Sequence, residues 1–299
     1  MRLSVMSDYS TQHALFSSSI GEDHSISFAF NTPQTARDIY SGVVMTFRRL
    51  LSLFTGKRVF IDEFDFINRE PGKPTVLSFL ASNHGVSEAD RETLSLNMRV
   101  PYAEIKQHLP AIIQKWFAYH DRLKSVLNLY FAVVFNEHLF GNNQFLFLAQ
   151  ALEVYHSSNP HFTTYVQTKS AFRARVKQLL SSVSPGERSW LKEKLSHANQ
   201  KTLAQRLDDI LNAHSAEVAQ IIPDRTQFAN WVRHTRNYFT HFDEELRTKR
   251  KIAEGEDLLR LTCQMQALIE ICVLKDLGIQ GAPIKRIIHR TNSYQYSSL

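Results

Sequence analysis

From Tyr102 to Leu277 the chain reads as one helical pattern after another, interrupted only by short polar breaks. That run constrains the fold to a mainly α architecture, because each amphipathic helix needs others on which to lay its apolar stripe. Ile112–Ala132 carries Trp116, Phe117 and Tyr119, enough aromatic bulk to anchor a bundle. Pro110 kinks or restarts the helix around it. The most apolar stretch, Val126–Phe135 (VLNLYFAVVF), is too short to span a bilayer and is expected to be a buried core helix. Phe140–Gly141–Asn142 breaks the pattern, and the next helix is expected over 143–156, with Phe145, Leu148, Ala149, Leu152 and Tyr155 at helical spacing. Helices are then expected over 162–180, 185–195 and 202–213, with Ser184 and Glu187 as a capping box. Pro223–Asp224 starts another, and 256–277 is expected to be the last long helix. The tail after Gly281 is basic, then polar, and is expected to be loose.

The first hundred residues differ in character. Residues 1–30 are Ser-rich, a frayed or strand-like start. Thr32 and Pro33 read as N-cap and first helical residue, with the helix running to about Phe54 and stopped by Thr55–Gly56. Val59–Ile67 and Thr75–Leu80 are β-prone and separated by Pro71, Gly72 and Pro74. Asp62, Glu63 and Asp65 suit a solvated edge strand better than a metal site. Residues 81–100 read as a polar connector. The expected organisation is a small mixed α/β segment over 1–100, followed by a helical domain over 101–299.

Composition narrows the function classes. The 299 residues are 43% hydrophobic and 21% charged, with a net charge of +6. That balance is compatible with a polyanionic partner but well short of a dedicated nucleic-acid coat. The two cysteines, Cys263 and Cys272, stand nine apart on one expected helix and point to nearly opposite sides, against a mutual disulfide. A reducing cytoplasm fits them. They have no neighbouring Cys or paired His for zinc. The opening MRLSVMSDYSTQH lacks the apolar core of a signal peptide. No Gly-rich phosphate loop or other cofactor motif occurs, so the expectation is no cofactor and no metal.

The chemistry concentrates in Phe228–Asp243, FANWVRHTRNYFTHFD. Phe228, Val232, Thr235, Phe239 and Phe242 form a helical core stripe. Asn230, His234, Asn237 and His241 fall on the opposite face at about 100° per residue, where Lys and Glu would be the usual choice. Arg236 and His241 stand five apart, an Arg-x4-His pattern with Asn237 directly after the arginine. In one straight helix that separation is about 140° and about 7.5 Å of rise. Two such side chains do not converge. Either the helix loosens near Thr240, or a second subunit completes the site. His234 and His241 are about 10.5 Å apart along the axis, too far for joint metal ligation.

The stretch RNYFTHFD, in a helical region that also holds QFLFLAQALEVYH (144–156), resembles the HEPN superfamily of small α-helical ribonucleases, most closely its ApeA-type branch from bacterial anti-phage systems. The resemblance spans roughly Tyr102–Leu277. It implies an antiparallel helical bundle and metal-independent RNA cleavage in which the 2′-OH attacks the adjacent phosphate, leaving 2′,3′-cyclic phosphate and 5′-OH ends. Carried to this sequence, Arg236 would clamp the phosphate and His241 would move the proton. Asn237 would orient the imidazole or bind a phosphate oxygen. A homodimer with a composite cleft is implied, with RNA (transfer RNA among the candidates) as substrate and a phage-derived component as trigger. ApeA-type members carry a larger β-rich N-terminal domain. Residues 1–100 then read as a remnant or trailing part of one, or the chain is a divergent member.

Other readings stay open at this level. His241 also suits a helix C-terminus, where an imidazolium meets the dipole. His234, with Arg233 beside it, assists in the cleft or sits on a wet surface. The basic run Arg247, Lys249, Arg250 and Lys251 either holds the RNA backbone or is a solvated loop. Glu153 reads as structural. A catalytically silent HEPN dimer acting as a scaffold is the rival function, and an antitoxin-controlled toxin a third.

Overall fold

The computed structural model describes residues 2–14, 17–61, 63–68, 75–80, 98–136, 138–242 and 244–296. The chain divides into two compact units, residues 1–47 with 62–82, and residues 48–61 with 83–299. The connector expected over 81–100 lies outside the described residues up to 97, as do Asp62, Pro71, Gly72 and Pro74.

In the first unit, β1 (Arg2–Ala14) and β2 (Ser17–Ala29) pair antiparallel, from Arg2 opposite Ala29 to Ala14 opposite Ser17. β3 (Glu63–Asn68) and β4 (Thr75–Leu80) form a second antiparallel pair. The period of two in β3 sends Glu63, Asp65 and Ile67 to solvent and leaves Phe64 and Phe66 half-buried. Their rings meet edge to face at 5.4 Å, and Tyr40 stacks on Phe64 at 5.3 Å. Glu63 and Asp65 are therefore strand-surface acids.

The first helical stretch starts later than Thr32–Pro33. Thr35 is the N-cap: its Oγ1 accepts from the Asp38 N–H at 3.1 Å and donates to the Asp38 carboxylate at 2.7 Å. A short turn, α1 (Ala36–Asp38), passes through a π-helical segment, Ile39–Val44, into α2 (Met45–Thr55). Gly56, at φ +75°, ends it. A Cβ there would sit 2.6 Å from Nε of Arg99, so glycine is required by backbone and by space alike.

The second unit is a helical bundle. Its elements are α3 (Tyr102–Ile105), α4 (Leu109–Val134), α5 (Gly141–Ser158), α6 (Lys169–Ser181), α7 (Arg188–Lys194), α8 (Leu203–Ala213), α9 (Ser215–Val218), α10 (Arg225–His241), α11 (Glu244–Lys249), α12 (Gly255–Asp276) and α13 (Ala282–Tyr296). Pro110 sits in the first turn of α4, where its missing N–H costs nothing. Val126, Leu127, Tyr130 and Phe131 of α4 are buried, as the apolar run requires. α5 packs on α4 and α12, and α10 on α8 and α5. α12 is buried on nearly every side through its second half, from Ala267 to Leu274, which makes it the bundle's centre. Among the described residues, no helix is long and apolar enough to cross a membrane.

Three expectations are corrected. Residues 162–168 are not helical. Val166 N–H donates to Asn199 O and Lys201 N–H to Thr164 O, both at 2.9 Å, so this segment pairs with 199–201 and α6 begins only after the N-cap Thr168. Ser184 makes no capping bond; the capping box is Thr202 with Gln205, at the start of α8. The tail is not loose: α13 buries Ile284, Ile287, Ile288 and Thr291 at helical spacing and packs on α12.

Candidate active site

α10 carries the candidate residues, and its own sequence explains its limits. Asp224 caps it, accepting from the Gln227 N–H at 2.8 Å. Phe228, Val232 and Thr235 are sealed against the bundle, as are Ala229, Trp231 and Tyr238. Phe239 meets Phe145 of α5 edge to face at 6.0 Å. Thr235 does more than fill space: its Oγ1 accepts the buried Ala253 N–H at 3.0 Å and pins the loop before α12 to α10.

The stripe stops one residue early. Phe242 is 64% exposed and adopts the left-handed conformation (φ 51°, ψ 40°) that ends the helix. A non-glycine residue reaches that region only at some cost, and its effect is to make His241 the last helical residue. The His241 side chain is exposed and makes no hydrogen bond among the described residues.

Arg236 points another way. Its side chain is 39% exposed, with one guanidinium nitrogen 3.4 Å from Asn237 Oδ1 and another 3.8 Å from the Glu153 carboxylate on α5. Glu153 thus stands beside Arg236 in the candidate site, a residue the sequence reading took as structural. No helical loosening occurs near Thr240, whose hydroxyl donates to the Arg236 carbonyl at 2.8 Å within a continuous helix. Arg236 and His241 of one chain consequently stay splayed around α10.

Behind Glu153, one turn along α5, His156 is fully buried and stacks on Phe162 at 4.9 Å with ring planes 7° apart. Its Nε2 lies 2.7 Å from Asp209, which also takes Lys201. Burial, chiefly, pushes the His156 imidazole below its usual range, against the opposing pull of Asp209. The unfolded chain therefore takes up this proton first as pH falls. Stability from His156 is full above about pH 6.5 and is lost as pH drops through the depressed folded value. His120 and His214 are shifted the same way, both chiefly by burial. Urea unfolding is expected to show lower stability at pH 5.5 than at pH 7.5 (roughly a unit either side of the free His value), with a shallower pH dependence in His156→Gln.

The expected RNA-binding residues separate into two groups. Arg247 pairs with Glu254 at 3.1 Å and lies 3.8 Å from Glu244; Lys249 pairs with Glu245. Lys251 sits over the face of Trp231 at 3.8 Å. These three have partners within the chain, Arg247 and Lys249 at its exposed surface. Arg233 instead donates to His234 Nε2 at 2.8 Å, and Arg250 is exposed. Among the described residues no group of three His, Cys, Asp or Glu is placed to hold a metal ion.

Two family models match the chain: Apea-like HEPN over residues 146–282, and ApeA N-terminal domain 1 over residues 1–116. The first begins within α5 and contains Glu153, Arg236, Asn237 and His241. The second reaches into the first hundred residues, where the sequence resemblance stopped. No curated protein and no solved structure matches.

Proposed function

The chain belongs to the ApeA-type HEPN proteins, and on that premise we propose that it is an endoribonuclease of anti-phage defence whose site is assembled by two copies of α10. The observation that carries this reading is the contrast along one helix. Phe228, Val232 and Thr235 are sealed, while Arg236, Asn237 and His241 remain accessible to a substrate.

In this mechanism the 2′-OH of the RNA attacks the neighbouring phosphorus. The bond to the 5′ oxygen breaks, leaving a 2′,3′-cyclic phosphate and a 5′-OH. His241 moves the proton, taking it from the nucleophile or giving it to the leaving oxygen, a task suited to imidazole near neutral pH. Arg236 presents a planar fork to the non-bridging oxygens as their charge grows. Glu153 and Asn237 position that fork, and Asn237 is one turn from the His241 imidazole. Every group in the sequence of steps comes from the protein or the RNA, and neither a metal nor a cofactor is used.

Because Arg236 and His241 of one chain are splayed, a competent pair takes one residue from each protomer of a two-fold dimer. Mixing Arg236→Ala and His241→Ala subunits tests this. Each variant alone is inactive, and the refolded mixture is expected to recover roughly a quarter of wild-type cleavage, because half the dimers carry one intact pair. Recovery no greater than the separate variants would exclude the shared site. A substrate with 2′-deoxyribose at the cut position is expected to resist cleavage, since it lacks the nucleophile.

A further inference from the structure

We propose that Arg233, His234 and Arg250 form a second phosphate-binding subsite, which holds the RNA strand at a phosphodiester neighbouring the one that is cut. The inference rests on the reading of α10 as an RNA-cleaving helix and adds where the strand runs.

The loop before α12 is built against α10 at two points. Lys251 lies on Trp231, and the Ala253 N–H bonds to Thr235 Oγ1. On α10 those anchors flank Arg233 and His234, and they bring Arg250, one residue before Lys251, to that turn. A guanidinium only donates, so the 2.8 Å contact from Arg233 makes His234 Nε2 an acceptor. The ring is therefore neutral, with its proton on Nδ1 and available as a further donor. Burial, then Arg233 and Arg250, holds the His234 imidazole below its ordinary range, consistent with two cations converging on it. Among the described residues no carboxylate pairs with either arginine, in contrast to Arg247 and Lys249 a few residues away. Uncompensated arginines held beside a neutral donor are a site for a shared anion, and a phosphodiester supplies one.

The subsite is distinct from the cutting position. Arg236 is drawn towards Glu153 on α5, and Arg233 towards His234 and the Arg250 loop. With Cβ atoms about 5–6 Å apart at a spacing of three residues, and guanidinia directed to different sides, the two address different phosphates of one strand.

The test is binding of a fluorescent single-stranded 2′-O-methyl RNA, which has no free 2′-OH and is not cleaved. Across a salt series, Arg233→Ala/Arg250→Ala is expected to weaken binding on the order of tenfold or more at low salt. The slope of log affinity against log salt is expected to flatten by about 1.4, two contacts at about 0.7 each. Arg250→Ala alone, at an exposed position, is expected to flatten it by about 0.7. An unchanged slope in both variants, or a wild type that does not bind this RNA, overturns the subsite. A wild type that binds through Arg250 yet leaves ordinary RNA uncut supports the subsite and removes the ribonuclease reading instead.

Discussion

His241→Ala and Arg236→Ala are each expected to lower RNA cleavage by about 10²–10⁴-fold without unfolding the bundle. His241 is exposed at the end of α10, and its ring supports no packing or hydrogen bond among the described residues. Its loss removes only the proton transfer. Arg236 is partly exposed and its ion pair with Glu153, at 3.8 Å, is long and solvent-screened. Its removal therefore costs little stability, while the developing charge on the phosphate loses its fixed cation. Arg236→Lys is expected to recover only part of the activity, because an ammonium keeps the charge and loses the fork. The check is single-turnover cleavage beside a melting curve. Equal activity in wild type and His241→Ala would remove His241 from the reaction.

The second large effect concerns stability. Arg99 and Glu270, 4% and 0% exposed, form an ion pair at 2.9 Å. Tyr130 closes the cluster, accepting from Arg99 and donating to Glu270, both at 2.8 Å. Gln266 adds a bond to the same carboxylate oxygen at 3.0 Å, and the Arg99 N–H reaches Phe54 O at 2.8 Å. The network thus ties the end of α2, the approach to α3, α4 and the centre of α12. Arg99→Ala leaves the buried carboxylate with the Tyr130 phenol, Gln266 and only a long 3.8 Å contact to the half-exposed Arg290, and is expected to cost about 3–5 kcal/mol, a fall in melting temperature on the order of 10 °C. Replacing both charges, as Arg99→Met with Glu270→Leu, is expected to cost less than Arg99→Ala alone, because no charge is left unpaired. A double variant that loses the sum of two full single costs would show that the ion pair itself, and not the desolvated remnant, carries the stability.

The buried network also shows where sequence reading ends. Arg99 lies in what reads as a polar connector, and no local pattern connects it to Glu270 on α12. The core of α4 was legible because a ten-residue apolar run can only be buried. The start of α10 was legible from Pro223–Asp224. Residues 162–168 misled because Phe162, Tyr165 and Val166 have helical spacing, whereas their backbone groups are claimed by Asn199 and Lys201. In α13 the buried isoleucines alternate with lysine and arginine, so the tail's charge masked its periodicity. Of the candidate site residues, Arg236, Asn237 and His241 stood out by type and spacing. Glu153 lies over eighty residues earlier, and the packing of α5 on α10 sets its carboxylate 3.8 Å from Arg236. The fold also sorts the cationic candidates: Arg247, Lys249 and Lys251 have acidic or aromatic partners within the chain, while among the described residues Arg233 and Arg250 have no carboxylate partner.

In the proposed reaction the nucleophile is the 2′-OH of the RNA itself. The most direct test is digestion of end-labelled transfer RNA by the intact wild-type protein in EDTA, with the new ends identified chemically. The account predicts cleavage, with 2′,3′-cyclic phosphate and 5′-OH termini. Cleavage that requires added divalent metal, or that leaves 3′-OH and 5′-phosphate termini, would contradict it.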